Sequence, residues 1–182
     1  MNTMKRITQT MLTVVVAGFF MIVTAASFAS QCAAVAPFNE LKPVGKTRLQ
    51  VWFWDVYDAE LRTETGAYTD EAQQRALQLS YLRDIKAKDL VDTTAEEWER
   101  LQITITADHQ QWLNRLQEMW PNVTEGDCIT LVETNEGHAQ FFGPEGELGV
   151  IESAQFTDDF LAIWLDKNSR FKSERNELIG AQ

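Results

Sequence analysis

The sequence predicts an α+β domain in which an antiparallel β-sheet packs against a layer of helices. Two observations support this prediction. Segments with an apolar side chain at every second position, typical of half-buried strands, lie in the first half of the chain and again between residues 126 and 151. Segments with helical apolar spacing separate and follow them, without the regular strand and helix alternation that a parallel sheet requires.

The chain begins with residues typical of a secretory signal. The first six residues carry two positive charges and no negative one, and an apolar run from Met11 ends in small residues. Ser27 and Ala29 suit a peptidase that cuts after Ala29, so we expect a periplasmic or secreted protein. The alternative is that residues 11–29 are not cleaved and anchor the protein in the inner membrane. We expect no other association with a membrane.

Cleavage would leave a strongly acidic chain. The net charge of −11 for the whole sequence becomes −13, because Lys5 and Arg6 are removed and no acidic residue is. A surface of this sign repels phosphate backbones, so nucleic acid is not a predicted partner. We divide the chain into a signal peptide at residues 1–29, a leader at 30–41 and one domain at 42–182, a length usual for a single hydrophobic core.

The first strong element covers residues 48–62, where apolar and polar side chains alternate. It is predicted to be one long strand, or two strands that meet at a bend. Trp52, Trp54 and Val56 make the second face of its middle apolar as well, so we expect this part to be covered on both sides. A bulge near Asp55 would turn that carboxylate outward.

The remaining elements follow from the same two periodicities. Pro37 and Pro43 are expected to keep the leader free of regular helix, and Asp108 is the predicted cap of the second long helix. Thr93 or Thr94 is expected to kink or restart the first long helix by capping onto Glu96 or Glu97. The predicted segments are a strand at 75–83, helices at 86–101 and 108–120, a hairpin at 126–143, a turn at 143–146 with a strand after it, and helices at 154–165 and 173–179.

Few residues suit metal binding or catalysis. His109 and His138 are interpreted as surface residues, and neither CxxC nor an acidic calcium loop occurs, so no metal ion is predicted. No cofactor is predicted either, because the glycines at 143, 146 and 149 do not form a phosphate loop, and no hydrolase triad is predicted, because the nucleophile-elbow motif is missing. Cys32 and Cys128 could form a disulfide after export, but a cysteine in a loose leader and a buried free thiol are the interpretation we prefer.

The unusual feature is a surplus of aromatic side chains on elements that already have a core face. We predict a cleft for an elongated apolar ligand, lined by four indoles: Trp52, Trp54, Trp98 and Trp112. Arg48 or Arg83, each near the end of a strand, is the predicted partner of a ligand carboxylate. The alternative is that these tryptophans only fill the core between sheet and helices.

The order of these segments resembles the bacterial exported branch of the chalcone isomerase-like family. Residues 81–92 (YLRDIKAKDLVD) are similar to that family's strand-to-helix segment around an RDI tripeptide, and residues 51–61 (VWFWDVYDAEL) to its central strand. VGK at 44–46 stands where the family has a GK turn, and residues 146–180 parallel its last strand and two closing helices. The resemblance covers roughly residues 42–180 and implies the family's open sandwich of sheet and helices.

The same resemblance implies that chalcone cyclisation is not expected. The family's isomerases bind a phenolate and polarise a ketone with an arginine, a threonine and tyrosines. In this chain, residues 38–40 (Phe-Asn-Glu) stand where the arginine precedes the GK turn. Trp52 stands at the threonine, and Trp98 stands at a tyrosine of the helix. Loss of the guanidinium removes the charge that would stabilise a developing oxyanion.

Other branches of this fold bind fatty acids without catalysis, and the resemblance implies a similar role. We therefore predict a non-catalytic periplasmic protein that binds a fatty acid or a similar apolar or amphiphilic small molecule between the sheet and its helices. Two alternatives stay open. One is an isomerase or lyase with a relocated site that uses Asp55 and Tyr57. The other is an envelope protein-interaction module whose aromatic patch takes a segment of a partner.

Overall fold

The structure is a computed structural model that describes residues 35–69 and 73–181. These residues form an antiparallel six-stranded sheet and five helices, which confirms the predicted α+β class. The strands are β1 (Lys42–Val51), β2 (Trp54–Thr63), β3 (Arg75–Tyr81), β4 (Cys128–Glu133), β5 (Ala139–Gly143) and β6 (Gly146–Ile151). The helices are α1 (Ala36–Glu40), α2 (Ala87–Arg100), α3 (Ala107–Met119), α4 (Ala154–Leu165) and α5 (Lys172–Leu178). The predicted signal peptide and Cys32 lie outside the described residues.

The strands lie across the sheet in chain order, from β1 at one edge to β6 at the other. Because side chains alternate along a strand, one face of the sheet carries the apolar set, and α2, α3 and α4 cover that face. The centre of the core consists of fully buried side chains from both layers: Leu61, Leu77, Leu131 and Phe141 from the sheet, and Trp98, Leu116, Phe156 and Leu161 from the helices. Burial of each contributes roughly 1.5–3 kcal/mol.

The segment predicted as a long strand or two strands is a hairpin. β1 and β2 pair from Lys42↔Thr63 up to Val51↔Trp54, and a two-residue turn at Trp52 and Phe53 joins them. The expectation that the middle is covered on both sides is wrong, because this turn projects into solvent. Alternation could not distinguish an apolar turn from a doubly covered strand, since neither glycine nor asparagine marks the turn.

The bulge predicted near Asp55 is present. The register changes from Leu49↔Tyr57 to Gln50↔Asp55, so Val56 is an extra residue on β2. Asp55 then accepts hydrogen bonds from the side chains of Gln50 and Arg48 on the outside of the hairpin. The extra residue thus keeps a carboxylate out of the core, as predicted.

Two local predictions about the helices are wrong. The cap of α3 is Thr106, not Asp108, and its backbone N–H and hydroxyl lie 3.4 and 2.8 Å from Nδ1 of His109. His109 is therefore buried rather than a surface residue. Thr93 and Thr94 do not interrupt α2, because their hydroxyls donate hydrogen bonds to backbone carbonyls one turn earlier in the same helix.

The outer face of the sheet is partly covered by the segment before β1. Contrary to prediction, a short helix, α1, forms there, because Pro37 lies in its first turn, where proline is tolerated. Phe38 is buried in a small cluster with Ala76 and Val132 of the sheet. Cys128 is buried and disulfide-bonded, so the expected free thiol is also a wrong prediction.

The VGK segment lies within β1 and not in a turn. Its Gly45 is the point at which α5 packs on the strand: a Cβ built there would stand 2.2 Å from the backbone oxygen of Glu177 and 2.6 Å from that of Leu178. Only glycine permits this approach of helix to strand. A hydrogen bond from Thr47 Oγ1 to Glu177 Oε2, 2.7 Å long, fastens the same contact.

Candidate functional site: a cavity between the sheet and helices α2 and α4

A cavity of about 300 Å³ lies between the hairpin end of the sheet and helices α2 and α4. Its wall is mostly apolar. The strands contribute Leu49, Val51 and Val56, helix α2 contributes Leu90, and helix α4 contributes Phe160 and Ile163. The volume is at the lower end of the range of small-molecule pockets, and the mixture of an apolar wall with a few polar groups is typical of them.

Two tyrosines from neighbouring strands line the same cavity. Tyr57 and Tyr81 are opposite each other in the β2–β3 ladder, and their rings meet edge to face at 6.0 Å between centroids. Burial raises the pKa of both hydroxyls above the ordinary value, so both stay protonated at neutral pH. Trp164 Nε1 donates to the Tyr57 oxygen at 2.8 Å. These hydroxyls can act as hydrogen-bond donors to a ligand but not as bases.

The indole of Trp120 adds a donor that the protein does not use. Trp120 follows α3, is 7% exposed and lines the cavity. Among the described residues, its Nε1 has no hydrogen-bond partner. A buried N–H without a partner costs about 1–3 kcal/mol, so this group is a polar site that the packing leaves unsatisfied in a residue that borders the cavity.

Charged groups lie together at one side of the cavity. Glu97 of α2 is 4% exposed and lines the cavity with Arg170. Arg170 Nε is 3.1 Å from one Glu97 oxygen and Arg100 Nε is 3.4 Å from the other. The lining therefore holds one cation, Arg170, and two carboxylates, and Arg100, which lies outside it, offsets part of the Glu97 charge. Asp89, the other acidic residue of the lining, is exposed to solvent, which screens its charge.

The contact between Arg170 and Glu97 is a charge contact rather than a well-aligned hydrogen bond, because the nearer carboxylate oxygen has no hydrogen-bond partner. The Arg170 side chain is 39% exposed, and its guanidinium stacks over the ring of Phe171 at 4.4 Å from the centroid. Its N–H groups are thus incompletely used by the protein. Arg170 can accept a second anionic partner without first breaking a bidentate pair.

The structure does not bring the six predicted ligand-binding residues into one cleft, and none of them lines this cavity. Trp52 and Trp54 are at the exposed hairpin turn, and Arg83 lies over the Trp54 ring at 5.2 Å from its centroid. Arg48 is on the outer face of the sheet, where it pairs with Asp58 at 2.6 Å. The structure thus places Arg48 and Arg83 away from this cavity and Arg170 at its rim.

The other two predicted residues belong to the interior. Trp98 is fully buried in the core, and its Nε1 donates to the backbone oxygen of Asp159 at 2.8 Å. Trp112 is half-buried and packs on His109 and Phe156, with centroids 4.7 and 5.6 Å away. For these two, the alternative interpretation as core side chains describes the structure.

A wider, open depression of about 1000 Å³ lies on the outer face of the sheet. Both cations of its lining are paired, since Lys46 is 2.7 Å from Glu60 and Arg48 is 2.6 Å from Asp58, and two further carboxylates, Glu125 and Glu177, also line it. Because these cations already have partners, the depression offers less to an anionic ligand than the cavity does.

Two further observations apply to residues 35–69 and 73–181. No three histidine, cysteine, aspartate or glutamate side chains of this part lie close enough together to hold a metal ion. None of its helices combines the length and the apolar character that a bilayer crossing requires. Of the pair Asp55 and Tyr57, considered for an enzyme, only Tyr57 lines the cavity.

Comparison with known proteins identifies a family, a relative and solved structures of similar fold. A family model described as chalcone isomerase-like matches residues 40–180. An uncharacterized protein of Haemophilus influenzae is 27% identical over 147 residues, which cover 81% of this chain and 72% of that protein. The crystal structure of an Arabidopsis thaliana fatty-acid binding protein superposes with a TM-score of 0.61 at 10% identity and covers 78% of this chain and 87% of its own. At that identity the likeness establishes the shared fold.

Proposed function

The chain belongs to the chalcone isomerase-like family, and on this premise we propose that it is a non-catalytic periplasmic protein that binds a fatty acid or a similar amphiphile. The observation that supports this most is the cavity between sheet and helices, with an apolar wall and an incompletely paired guanidinium, that of Arg170, at one side. A fold neighbour that is itself a fatty-acid binding protein agrees with the proposal.

The polar groups of the cavity suggest how such a ligand lies. Its carboxylate binds Arg170, the cation of the lining that is partly exposed and incompletely paired. Its acyl chain runs along Leu49, Val56 and Ile163, where removal from water contributes roughly 0.8 kcal/mol per buried CH₂ group. The small volume favours a single chain.

The protonated state of the tyrosines argues against an enzyme that removes a proton in this cavity. Burial keeps the pKa of Tyr57 and Tyr81 high, so neither supplies a phenolate at neutral pH. Asp55, the carboxylate considered for a relocated active site, lies outside the cavity in contact with Arg48. A binding role requires neither group to change its protonation.

The periplasmic part of the proposal rests on the amino-terminal sequence. A positive start, an apolar run and small residues before position 30 are typical of an exported chain. The disulfide-bonded state of Cys128 agrees with an oxidising compartment. Detection of residues 30–182 as the mature chain in a periplasmic extract would test it, and an intact chain that sediments with membranes would contradict it.

The first experiment on the ligand is native mass spectrometry and lipid extraction of the mature chain, purified after export. We expect a co-purified amphiphile, or binding of added fatty acid that changes the tryptophan emission, because Trp120 and Trp164 line the cavity. A protein that is clean after purification and whose emission ignores added fatty acids would contradict the proposal. So would cyclisation of a chalcone at enzymatic speed.

Two arginines that contact the same carboxylate provide a matched pair of variants. Arg170→Gln removes the guanidinium that lines the cavity, whereas Arg100→Gln removes one that contacts Glu97 but does not line it. A charge-assisted hydrogen bond contributes about 1.5–3 kcal/mol, so Arg170→Gln should weaken fatty-acid binding by roughly 10- to 100-fold. Arg100→Gln should leave binding within a few-fold. Equal losses in both variants would show that the charge of Glu97, and not contact with Arg170, controls binding.

A further inference from the structure

Four consecutive residues at the β1–β2 turn are exposed and apolar, and we call them the aromatic tip: Val51, Trp52, Phe53 and Trp54. The three aromatic residues are 87%, 91% and 64% exposed. At about 200 Å² per aromatic side chain, they present on the order of 500 Å² of apolar surface. That is within the range of the largest patch on a soluble monomer, and such patches are often functional.

The backbone of the tip is strained in order to hold an indole. Trp52 has a φ of +61°, in the left-handed region that costs any residue with a Cβ. A two-residue hairpin turn with positive φ at its first position is normally occupied by glycine there. Because the Trp52 side chain is almost fully exposed, its packing within the protein does not offset this cost. A strained backbone that no packing within the protein offsets points to a partner outside the chain.

A phospholipid bilayer fits this tip better than a protein surface does. The tip is a projecting turn, so a partner must deform around it or already have a matching pocket, and lipids deform readily. Indole rings favour the interface between acyl chains and headgroups, since they are apolar with one N–H donor. The guanidinium of Arg83, 5.2 Å from the Trp54 ring centroid, is placed at the level of lipid phosphates when the indoles enter the interface.

The tip is also continuous with the cavity. Val51 lines the cavity and directly precedes Trp52, and Val56 lines it on the returning strand. Insertion of the tip into a bilayer would therefore place this end of the cavity near the acyl chains. We infer that Trp52, Phe53 and Trp54 form a membrane-docking element that inserts into the interfacial layer of a phospholipid bilayer.

The overall charge defines the kind of bilayer. A mature chain with a net charge of −13 is repelled by anionic lipids, so attraction comes from the aromatic side chains and not from the charge. Docking should thus favour zwitterionic phosphatidylcholine vesicles over vesicles rich in phosphatidylglycerol. It should change little between low and high salt, because apolar transfer, unlike surface ion pairing, is not screened.

The test is flotation of residues 30–182, which contain every described helix and strand, with phosphatidylcholine vesicles. The informative variant is Trp52→Gly, since glycine relieves the positive φ and the protein should melt at the same temperature or higher. We expect its partition coefficient to fall at least tenfold. Trp52→Tyr keeps an interfacial aromatic ring and should retain most of the binding, and Phe53→Ser should lose it as Trp52→Gly does.

Three outcomes would overturn the inference. The first is a wild-type protein that does not float with zwitterionic vesicles, and the second is a Trp52→Gly variant that floats equally well. The third is a dimer, detected by sedimentation and lost in Trp52→Gly, without vesicle binding, which would assign the tip to a second copy of the chain. Flotation does not depend on what the cavity binds, so failure here and failure of the proposed ligand are separate results.

Discussion

Replacing Gly45 by alanine is expected to loosen the packing of α5 on the sheet. The added Cβ would lie 2.2, 2.6 and 2.9 Å from backbone atoms of Glu177 and Leu178, and backbone cannot rotate away as a side chain can. The helix must therefore move outward by about 1 Å, and a gap of that size forfeits up to half of the contact energy of the atoms involved. Leu178, which is buried at this contact, depends on that packing.

The magnitude follows from what the contact contains. Part of the burial of Leu178 is lost, and full burial of this side chain is worth roughly 1.5–3 kcal/mol. The Thr47–Glu177 hydrogen bond, which is worth about 1 kcal/mol, is weakened as well. Alanine in place of glycine also stabilises the protein by about 0.4–1 kcal/mol, because it restricts the unfolded chain. We expect a net destabilisation of about 1–2 kcal/mol, which lowers the melting temperature by roughly 2–8 °C in a domain of this size.

Gly143→Ala is the matched control for this experiment. Its Cβ would meet the side chain of Leu148 at 3.0 Å, and a leucine can change rotamer. We expect a change within about 1 kcal/mol, measured with urea for both variants. Hydrogen exchange should increase in Lys172–Leu178 for Gly45→Ala only. If Gly45→Ala were as stable as Gly143→Ala, the close approach of α5 would not be a constraint, and the reasoning would fail.

Two other predictions concern the core and the outer face. Trp98→Phe should cost about 2 kcal/mol in urea unfolding, since it removes volume from a fully buried site and the hydrogen bond to Asp159; an unchanged midpoint would contradict this. Burial would raise the pKa of Glu60, but hydrogen bonds from Lys46 and Arg62 outweigh it and lower that pKa. The stabilisation is present above the unfolded pKa near 4.3 and is lost as pH falls through the lowered folded value. Glu60→Gln should therefore destabilise the protein at pH 7, and by progressively less as the pH falls below 4, as urea midpoints would show.

Regular periodicity made much of the fold predictable from the sequence. The pattern of residues 154–165 predicted α4 with the bounds that the structure has, because Phe156, Phe160 and Ile163 recur at helical spacing and all are buried. The hairpin of β4 and β5 was likewise predicted, since apolar strands flank Gly137, which adopts the positive φ of a turn. In these elements, local preference and tertiary packing require the same conformation.

The aromatic tip was mispredicted because its local signals conflict with its structure. Trp52 occupies a backbone position that glycine would normally mark, so the sequence carries no turn residue there. Two apolar faces over Trp52–Val56 are equally expected for a covered strand and for an exposed apolar turn. Only the pairing of β1 with β2 decides between them, and pairing depends on residues outside the segment.

The residues that line the cavity could not be predicted, for a different reason. Tyr57, Tyr81, Trp120 and Trp164 come from four separate elements, and each belongs to a core face by its spacing. Whether core-facing side chains meet in solid packing or leave a void depends on how the helices are placed on the sheet. The aromatic surplus directed attention to Trp98, which fills the core, instead of Trp120, which borders the void.

The order of the strands has a consequence for how the chain assembles. Each strand pairs with the one that follows it in sequence. The sheet can therefore grow from its first hairpin by adding one strand at a time, and no strand must insert between two others. The one long excursion, residues 82–127, carries α2 and α3, and lengthening a loop raises the entropy of closure only slowly. A polypeptide that emerges gradually from a pore, amino end first, could fold in that same direction.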